Sequence, residues 1–206
     1  MQIGDYVVHI VDDEEPVRKS LAFLLMMGGF TARVHESATS FLAAVPGMDK
    51  GCLVTDLRMP DMSGVELLTR LGAAKALMPA IVITGHGDVP MAVAAMKAGA
   101  LDFIEKPFED EVLIEAIKRA AERLGGIPPT QDDEPLVQSR LEQLTERERQ
   151  VLSAVVAGLP NKTIAYDLNI SPRTVEVHRA NVMAKMQAKS LPELVRMTLS
   201  AGLGDD

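Results

Sequence analysis

The sequence predicts an α/β domain with a doubly wound, five-stranded parallel sheet, followed by a second, all-α domain of four helices that includes a helix-turn-helix. Three observations support this prediction. Short apolar segments alternate with amphipathic segments over the first 124 residues. A stretch dominated by glycine, proline and acidic residues comes next. The rest of the chain carries helical periodicity and several capping residues.

The five strands are predicted from short apolar runs that are nearly continuous rather than alternating. Such runs are typical of parallel strands that are covered on both faces of the sheet. The runs are Val7–Val11, Ala32–His35, Cys52–Thr55, Ala80–Thr84 and Leu101–Glu105. Between them, apolar residues recur at helical spacing, for example at Leu113, Ile117 and Leu124. We therefore expect helices on both faces of the sheet.

The domain boundaries follow from the break in this alternation. We assign residues 1–124 to the first domain, residues 125–139 to a linker and residues 140–206 to the second domain. The end of the linker stays open, because residues 136–144 could also form a helix.

The second domain is predicted from helix start and stop signals. Thr145 and Glu148 form a capping box, and Gly158 marks the end of the helix that they begin. Asn161 is expected to cap a second helix at residues 162–168, and Asn169 suits a left-handed stop.

Two further helices complete this domain. Ser171 is expected to cap a helix that starts at Pro172 and runs to about Gln187. Ser190 and Glu193 form a second capping box, which begins the last helix. The short turn between the second and third helices of this domain is typical of a helix-turn-helix.

The net charge of −8 argues at first against nucleic acid, but the charge is unevenly distributed. Residues 1–127 carry −6, residues 128–139 carry −3, and residues 140–206 carry +1. The acidity therefore belongs to the first domain and the linker. We expect a cytoplasmic protein with no membrane contact, because no apolar run spans a bilayer and no signal peptide is evident. Cys52 and His9 are expected to be core residues.

Three aspartates, one threonine and one lysine lie at the ends of four predicted strands. They are Asp12 and Asp13 after the first strand, Asp56 after the third, Thr84 at the end of the fourth and Lys106 after the fifth. In a doubly wound sheet these ends meet in one crevice. Carboxylates gathered there need a cation, and oxygen ligands suit Mg²⁺, with Mn²⁺ also possible. An Asp after a strand is also a common helix cap or turn residue, so each residue alone is ambiguous.

A carboxylate in such a crevice can attack a phosphoryl group and form an aspartyl phosphate. Lys106 and the Thr84 hydroxyl could then hold the transferred phosphoryl oxygens. The sequence thus predicts a phosphoryl or metal site.

The motifs of this site resemble those of the receiver family, which has a flavodoxin-like fold. The segments are 11–14, 55–64, 84–86 and 106–108, and the resemblance covers residues 5–124. It implies that Asp56 is the phosphoacceptor. It further implies that Asp13, Asp56 and the Arg58 backbone carbonyl bind Mg²⁺ directly, while Asp12 helps through water or hydrogen bonds. Thr84 and Phe103 match the family's switch pair, Lys106 would bind the phosphoryl group, and the Lys106–Pro107 bond is expected to be cis.

The helix that starts at Pro172 has an inward face at Val175, Val182 and Met186, and an outward face with charged residues. An exposed helix after a short turn can enter the major groove of DNA, although an ordinary helical hairpin would show the same pattern. Segments 144–148, 158–165, 170–171 and 174–179 resemble the four-helix domain of the LuxR, NarL and FixJ family. The predicted DNA-binding residues are Asn161, Lys162, Ser171, Arg173, Thr174, Glu176, Val177, His178, Arg179 and Lys185.

Together the two resemblances imply a two-component response regulator and not an enzyme. A sensor histidine kinase would phosphorylate Asp56, and phosphorylation would promote a homodimer that binds promoter DNA and activates transcription. Residues 160–183 resemble the FixJ branch of the family most, which implies a FixL-like kinase, RNA polymerase as a partner, and nitrogen-fixation or microaerobic genes as targets.

Two alternatives stay open. A metal-dependent phosphohydrolase with an aspartate nucleophile has a similar crevice, but such enzymes usually carry an acid two residues after the nucleophile, where this chain has Arg58. A DNA-binding regulator that does not depend on phosphorylation would not need the complete acidic site.

Overall fold

The structure is a computed structural model that describes residues 7–85, 88–125 and 133–203. Five strands form one sheet, in the order β2-β1-β3-β4-β5, and all neighbours are parallel. The strands are β1 (Val7–Val11), β2 (Thr31–His35), β3 (Gly51–Asp56), β4 (Ala80–Thr84) and β5 (Asp102–Glu105). The predicted α/β fold is confirmed, and each strand agrees with its apolar run to within one residue at either end.

Helices connect the strands. They are α1 (Glu15–Met27), α2 (Ala38–Ala44), α3 (Gly64–Leu71), α4 (Val89–Lys97) and α5 (Asp110–Leu124). Short 3₁₀ turns follow α2 and α3. Leu25 of α1 and Ile117 of α5 pack with Ile10, Val54 and Ile83 of the strands in one apolar cluster. Because β3 and β4 are buried along their whole length, their apolar runs do not alternate.

The helices of the C-terminal part are α6 (Asp133–Glu142), α7 (Glu146–Val156), α8 (Asn161–Asp167), α9 (Pro172–Met186) and α10 (Leu191–Ser200). Helix α6 includes part of the segment predicted as linker. Its Val137 and Leu141 are buried against the core of α7, α9 and α10. This packing forms a helix in a segment whose polar composition suggests a linker. Residues 126–132 of the predicted linker lie outside the described residues.

Several predicted helix signals are confirmed. Thr145 and Glu148 make the reciprocal capping box of α7. Ser171 caps α9, which has proline at its start. Asn169 has the left-handed conformation, with φ of 54°. The Lys106–Pro107 bond is cis.

Two predicted caps are wrong in detail. Asn161 is the first residue of α8 and does not cap it, because Pro160 occupies the cap position. Ser190 caps α10, but the Glu193 carboxylate accepts from the Lys189 backbone N–H and leaves the box incomplete. In both cases the side chain bonds to a group outside its own helix: Asn161 accepts from Arg179, and Glu193 accepts from the Lys189 backbone.

The chain divides into two compact units. The first contains the five strands with α1, α2, α3 and α5, and the second contains α4 and α6–α10. The predicted boundaries at residues 124 and 140 stay predictions. Cys52 is fully buried in the first unit, as expected, and burial raises the pKa of its thiol. Within the described ranges, no helix has both the length and the apolar character needed to cross a membrane.

Candidate functional sites

The carboxyl ends of four strands bring the predicted phosphoryl site together. Asp12 directly follows β1, Asp56 ends β3, Thr84 ends β4 and Lys106 directly follows β5. The crevice lies where the strand order reverses, since β1 pairs with β2 on one side and with β3 on the other. Open α/β sheets bind ligands at this topological position. Asp12, Asp56 and Thr84 are buried, so little water competes for them.

Lys106 connects the two buried carboxylates. Its Nζ lies 3.1 Å from Asp56 Oδ1 and 3.3 Å from Asp12 Oδ2. Burial alone would lower the pKa of Lys106, but the hydrogen bond to Asp56 and the negative charges of both aspartates outweigh it and raise the pKa. Burial raises the pKa of Asp12, although the backbone N–H of Glu14 and the charge of Lys106 oppose this. Lys106 therefore stays a cation and supplies positive charge where phosphoryl oxygens would develop negative charge.

The loop after β3 is held close to Asp56. Asp56 Oδ2 accepts a 2.6 Å hydrogen bond from the Arg58 backbone N–H. The first residue of α3 is Gly64, and a Cβ there would lie 2.6 Å from the Asp56 carbonyl oxygen. Only glycine therefore lets α3 begin this close to the Asp56 backbone. This arrangement places the Arg58 main chain next to the predicted phosphoacceptor.

The other predicted residues of this site differ in exposure. Asp13 is exposed next to buried Asp12. Thr84 is 1% exposed, and Phe103 is half-buried. The register pairs Thr84 with Glu105, so Phe103 lies on the same face of the sheet, diagonally opposite Thr84. The proposed switch pair is thus on neighbouring strands, at the edge that carries the acids.

Sequence reasoning missed one residue of this region. Asp61, in the loop between β3 and α3, accepts hydrogen bonds from the backbone N–H and the hydroxyl of Thr39, both at 2.8 Å. Desolvation by itself would raise the pKa of Asp61, but the hydrogen bonds from Thr39 outweigh it and lower the pKa. The loop that follows Asp56 is therefore tied to the first turn of α2. The sequence gives no signal for this contact, because the two residues are far apart in the chain.

The acidic residues fit a hard divalent cation. Within the described residues, no group of three or more His, Cys, Asp or Glu side chains is arranged to hold a metal ion. Mg²⁺ does not need one, since it usually binds one or two carboxylates and takes its other ligands from water and phosphate. Asp12 and Asp56 share one lysine here, and these two carboxylates are the ligand type that Mg²⁺ prefers.

The second candidate site is the pair of helices α8 and α9. Val175, Val182 and Met186 of α9 are buried, as predicted. Ser171 Oγ accepts from the Thr174 backbone N–H at 3.0 Å and lies 2.8 Å from the Thr174 hydroxyl. Five of the predicted DNA-binding residues are exposed: Lys162, Arg173, Glu176 and Val177 on these helices, and Ser171 at the cap of α9.

Other predicted DNA-binding residues have partners within the unit. Arg179 donates to Asn161 Oδ1 at 2.7 Å and so connects α9 to the start of α8. Lys185 donates to buried Glu148 at 2.6 Å and to the Gln143 carbonyl at 3.3 Å. The hydrogen bond from Lys185, followed by that from the Thr145 backbone, lowers the pKa of Glu148 to about 2. His178 is half-buried, and its Nδ1 has no hydrogen-bond partner among the described residues.

Comparison with known proteins agrees with both sites. Residues 8–118 match the response regulator receiver domain, and residues 142–198 match the luxR family of bacterial regulatory proteins. The chain is 72% identical over 200 residues to the transcriptional regulatory protein FixJ of Rhizobium meliloti, covering 97% of this chain and 98% of that protein.

Solved structures show the same similarity. Full-length FixJ from B. japonicum is 47% identical, with a TM-score of 0.56, and the match covers 97% of this chain and 98% of that one. A beryllofluoride-activated NtrC4 receiver domain dimer is 35% identical, with a TM-score of 0.54, over 57% of this chain and 98% of that one. The chain therefore belongs to the FixJ-type two-component response regulators, which join a receiver domain to a helix-turn-helix DNA-binding domain of the luxR family.

Proposed function

We propose that a sensor histidine kinase phosphorylates this regulator at Asp56, and that phosphorylation promotes a homodimer which binds promoter DNA and activates transcription. The observation that carries the proposal is the position of Lys106 Nζ, 3.1 Å from Asp56 and 3.3 Å from Asp12. A carboxylate that stays close to a lysine cation at a topological switch point has the surroundings that an acyl phosphate requires.

The proposed reaction is a phosphoryl transfer. The Asp56 carboxylate attacks the phosphorus of a phosphohistidine on the kinase, and the phosphorus–nitrogen bond breaks as the kinase histidine leaves with the electron pair. Lys106 neutralises the charge on the transferred oxygens, and the Thr84 hydroxyl donates to one of them. Asp12, Asp13, Asp56 and the Arg58 carbonyl would hold Mg²⁺, which neutralises charge between the acids and the phosphoryl group.

Phosphorylation would act on an existing equilibrium between two states. The new phosphoryl oxygens attract the Thr84 hydroxyl, and its movement leaves space into which half-buried Phe103 turns. The beryllofluoride-activated receiver dimer, 35% identical to this chain, supports a dimer as the active form. Two linked DNA-binding domains gain affinity because the second half-site is bound within the same complex.

The proposed contacts to DNA come mainly from the exposed residues of α8 and α9. Lys162 and Arg173 would hold phosphates, while Glu176 and Val177 would contact base edges. Ser171 and Thr174 lie at the start of α9, where backbone N–H groups attract phosphate. Arg179 and Asn161 would fix the relative position of the two helices. The resemblance to FixJ-type regulators supports a FixL-like kinase, RNA polymerase as partner and nitrogen-fixation or microaerobic genes as targets.

The decisive test combines sedimentation with a gel shift on the full chain. Acetyl phosphate with Mg²⁺ should raise both the dimer fraction and the affinity for a duplex that the unaltered chain selects from a randomised DNA pool. Asp56→Asn should remove both responses, because the amide is not a nucleophile. Equal responses in the two proteins would refute phosphorylation at Asp56, and repeated turnover of a small phosphate ester would favour a phosphohydrolase.

A further inference from the structure

Tyr166 is the most exposed large hydrophobic side chain among the described residues. It is 86% exposed, while the next, Met27, is 71% exposed. The chain is poor in aromatic residues, with two tyrosines and no tryptophan. An aromatic ring left almost wholly in water loses the stabilisation that burial would provide, and tyrosine is enriched in binding interfaces. The position of Tyr166 is therefore better explained by a partner than by the stability of the unit.

Tyr166 lies on the outward face of α8. Ile164 and Ala165 of the same helix are buried in the core with α7 and α9, which fixes the opposite face in water. Lys162 is exposed one turn before Tyr166, at the i, i+4 spacing that places two side chains on one face. This face thus presents an ammonium group and a phenol hydroxyl side by side.

The orientation of α8 relative to α9 is fixed by a side-chain hydrogen bond at one end of α8 and by the turn at its other end. Arg179 of α9 donates to Asn161 at the start of α8, at 2.7 Å. At the other end, the Ile170 backbone N–H donates to the Ala165 carbonyl at 2.9 Å, and Asn169 makes the left-handed turn. In a helix-turn-helix, the second helix enters the major groove while the first crosses the sugar-phosphate backbone. The outward face of α8 is the part of the pair that would meet that backbone.

The charge of these two helices suits a polyanion. Residues 161–187 carry four Lys or Arg and two Asp or Glu, a net +2 in a chain of −8. We propose that Tyr166 contacts a DNA phosphate, its hydroxyl donating a hydrogen bond to a phosphate oxygen next to the one held by Lys162. The inference rests on the proposed DNA binding and adds a contact outside the predicted set. A hydroxyl carries no charge and so releases no counterion from the DNA when it binds a phosphate. The contact would therefore position the helix without adding to the salt dependence of binding.

The test compares Tyr166→Phe with the unaltered full chain, both treated with acetyl phosphate and Mg²⁺. The probe is the duplex selected by the unaltered chain from a randomised pool. Loss of one hydrogen bond to a charged acceptor should weaken binding about ten- to a hundredfold per subunit. The salt dependence should not change, whereas Lys162→Ala should lower its slope by about one. Phe23→Ala, which alters an exposed aromatic residue of the first unit, should leave affinity unchanged.

A second measurement reports on the ring directly. In a Tyr6→Phe chain labelled with 3-fluorotyrosine, the one ¹⁹F resonance comes from position 166. Its solvent isotope shift between H₂O and D₂O should fall when the duplex binds, because the ring leaves bulk water. Unchanged affinity together with an unchanged isotope shift overturns the contact. If Tyr166→Phe binds DNA normally but loses transcription with RNA polymerase, the surface belongs to a protein partner and the inference is wrong. If the unaltered chain itself binds no duplex, the proposed function fails first.

Discussion

Two histidines of the first unit, buried His9 and half-buried His35, form a pair between β1 and β2. His9 of β1 is 2% exposed, and its Nδ1 lies 3.0 Å from His35 Nε2 on β2. The rings of both pack against Phe41 of α2. Strand β3 has glycine at residue 51, where a Cβ would lie 3.2 Å from the His9 ring. The predicted core role of His9 is thus confirmed, with His35 as its polar partner.

These histidines should make the first unit sensitive to acid. Burial, followed by the charges of His35 and Arg33, lowers the pKa of His9 to about 4. Burial and Arg33 also lower the pKa of His35. A histidine whose folded-state pKa is depressed stays neutral while the unfolded chain takes up a proton below pH 6.5. The contribution of neutral, buried His9 to the free energy of unfolding is therefore complete above pH 6.5 and is lost as the pH falls towards 4.

Urea unfolding at several pH values checks this expectation. Between pH 6.5 and 4.5, the free energy of unfolding of His9→Asn should fall less steeply than that of the unaltered chain, by about 1 kcal/mol per pH unit. Val34→Thr, an exposed substitution on β2, should keep the full slope. Parallel slopes for His9→Asn and the unaltered chain would show that His9 does not carry the effect.

At the scale of helices, the α7 and α9 pair contains a predicted DNA-binding residue that has a partner within its own unit. Lys185 lies on the face of α9 that the helical pattern leaves outward. In the structure its ammonium group bonds to Glu148, which is buried and also completes the capping box of α7. One contact therefore joins the start of one helix to the end of the other. This arrangement favours a role for Lys185 in holding α9 in place.

Lys185→Met should destabilise the second unit by about 2 kcal/mol, because it leaves the Glu148 carboxylate buried without its cation. The pKa of Glu148 is lower in the folded than in the unfolded chain, so its ion pair contributes full stability only above about pH 4.5. The destabilisation caused by Lys185→Met should therefore become smaller as the pH falls below 4.5. Denaturant unfolding of Lys185→Met, of Glu148→Gln and of the double variant measures the coupling between the two residues.

Lys162→Ala is the matched control for this experiment. Lys162 is exposed on α8, so its loss should change stability by less than about 0.5 kcal/mol. If Lys185→Met instead keeps full stability and weakens DNA binding with a lower salt slope, Lys185 contacts phosphate as the sequence predicted.

At the scale of the whole molecule, each unit has its own apolar core. One core joins the sheet to α1 and α5, and the others lie among α6–α10. The candidate phosphoryl site is formed within the first unit alone, from strand ends of one sheet. A ligand of that site should therefore stabilise the unit that forms it by mass action.

Calorimetry with Mg²⁺ and beryllofluoride checks this. At a hundred times the dissociation constant, the ligand should add about 2.7 kcal/mol to the stability of the first unit. The unfolding transition of the second unit should stay at the same temperature. Asp56→Asn should abolish the shift. An equal shift in that variant would place the ligand elsewhere.

The strands and the candidate phosphoryl residues were predictable from the sequence because both depend on local order. A parallel strand covered on both faces needs a continuous apolar run, and polar residues at its end must lie at the sheet edge where all carboxyl ends meet. Asp12, Asp56, Thr84 and Lys106 follow from this rule without any knowledge of distances. The helix caps at Thr145 and Ser171 are equally local.

The sequence by itself determined two domains, five strands and the acids that gather at one edge of the sheet. Only the tertiary structure decided which charged residues are free. Lys185 and Lys162 look alike in the chain, yet one is paired with buried Glu148 and the other is exposed. The exposure of Tyr166 and the contact of Asp61 with Thr39 were also visible only in the tertiary structure. The physical reason is that burial and pairing depend on residues that are distant in sequence, and periodicity along one helix or strand carries no information about which neighbour covers it.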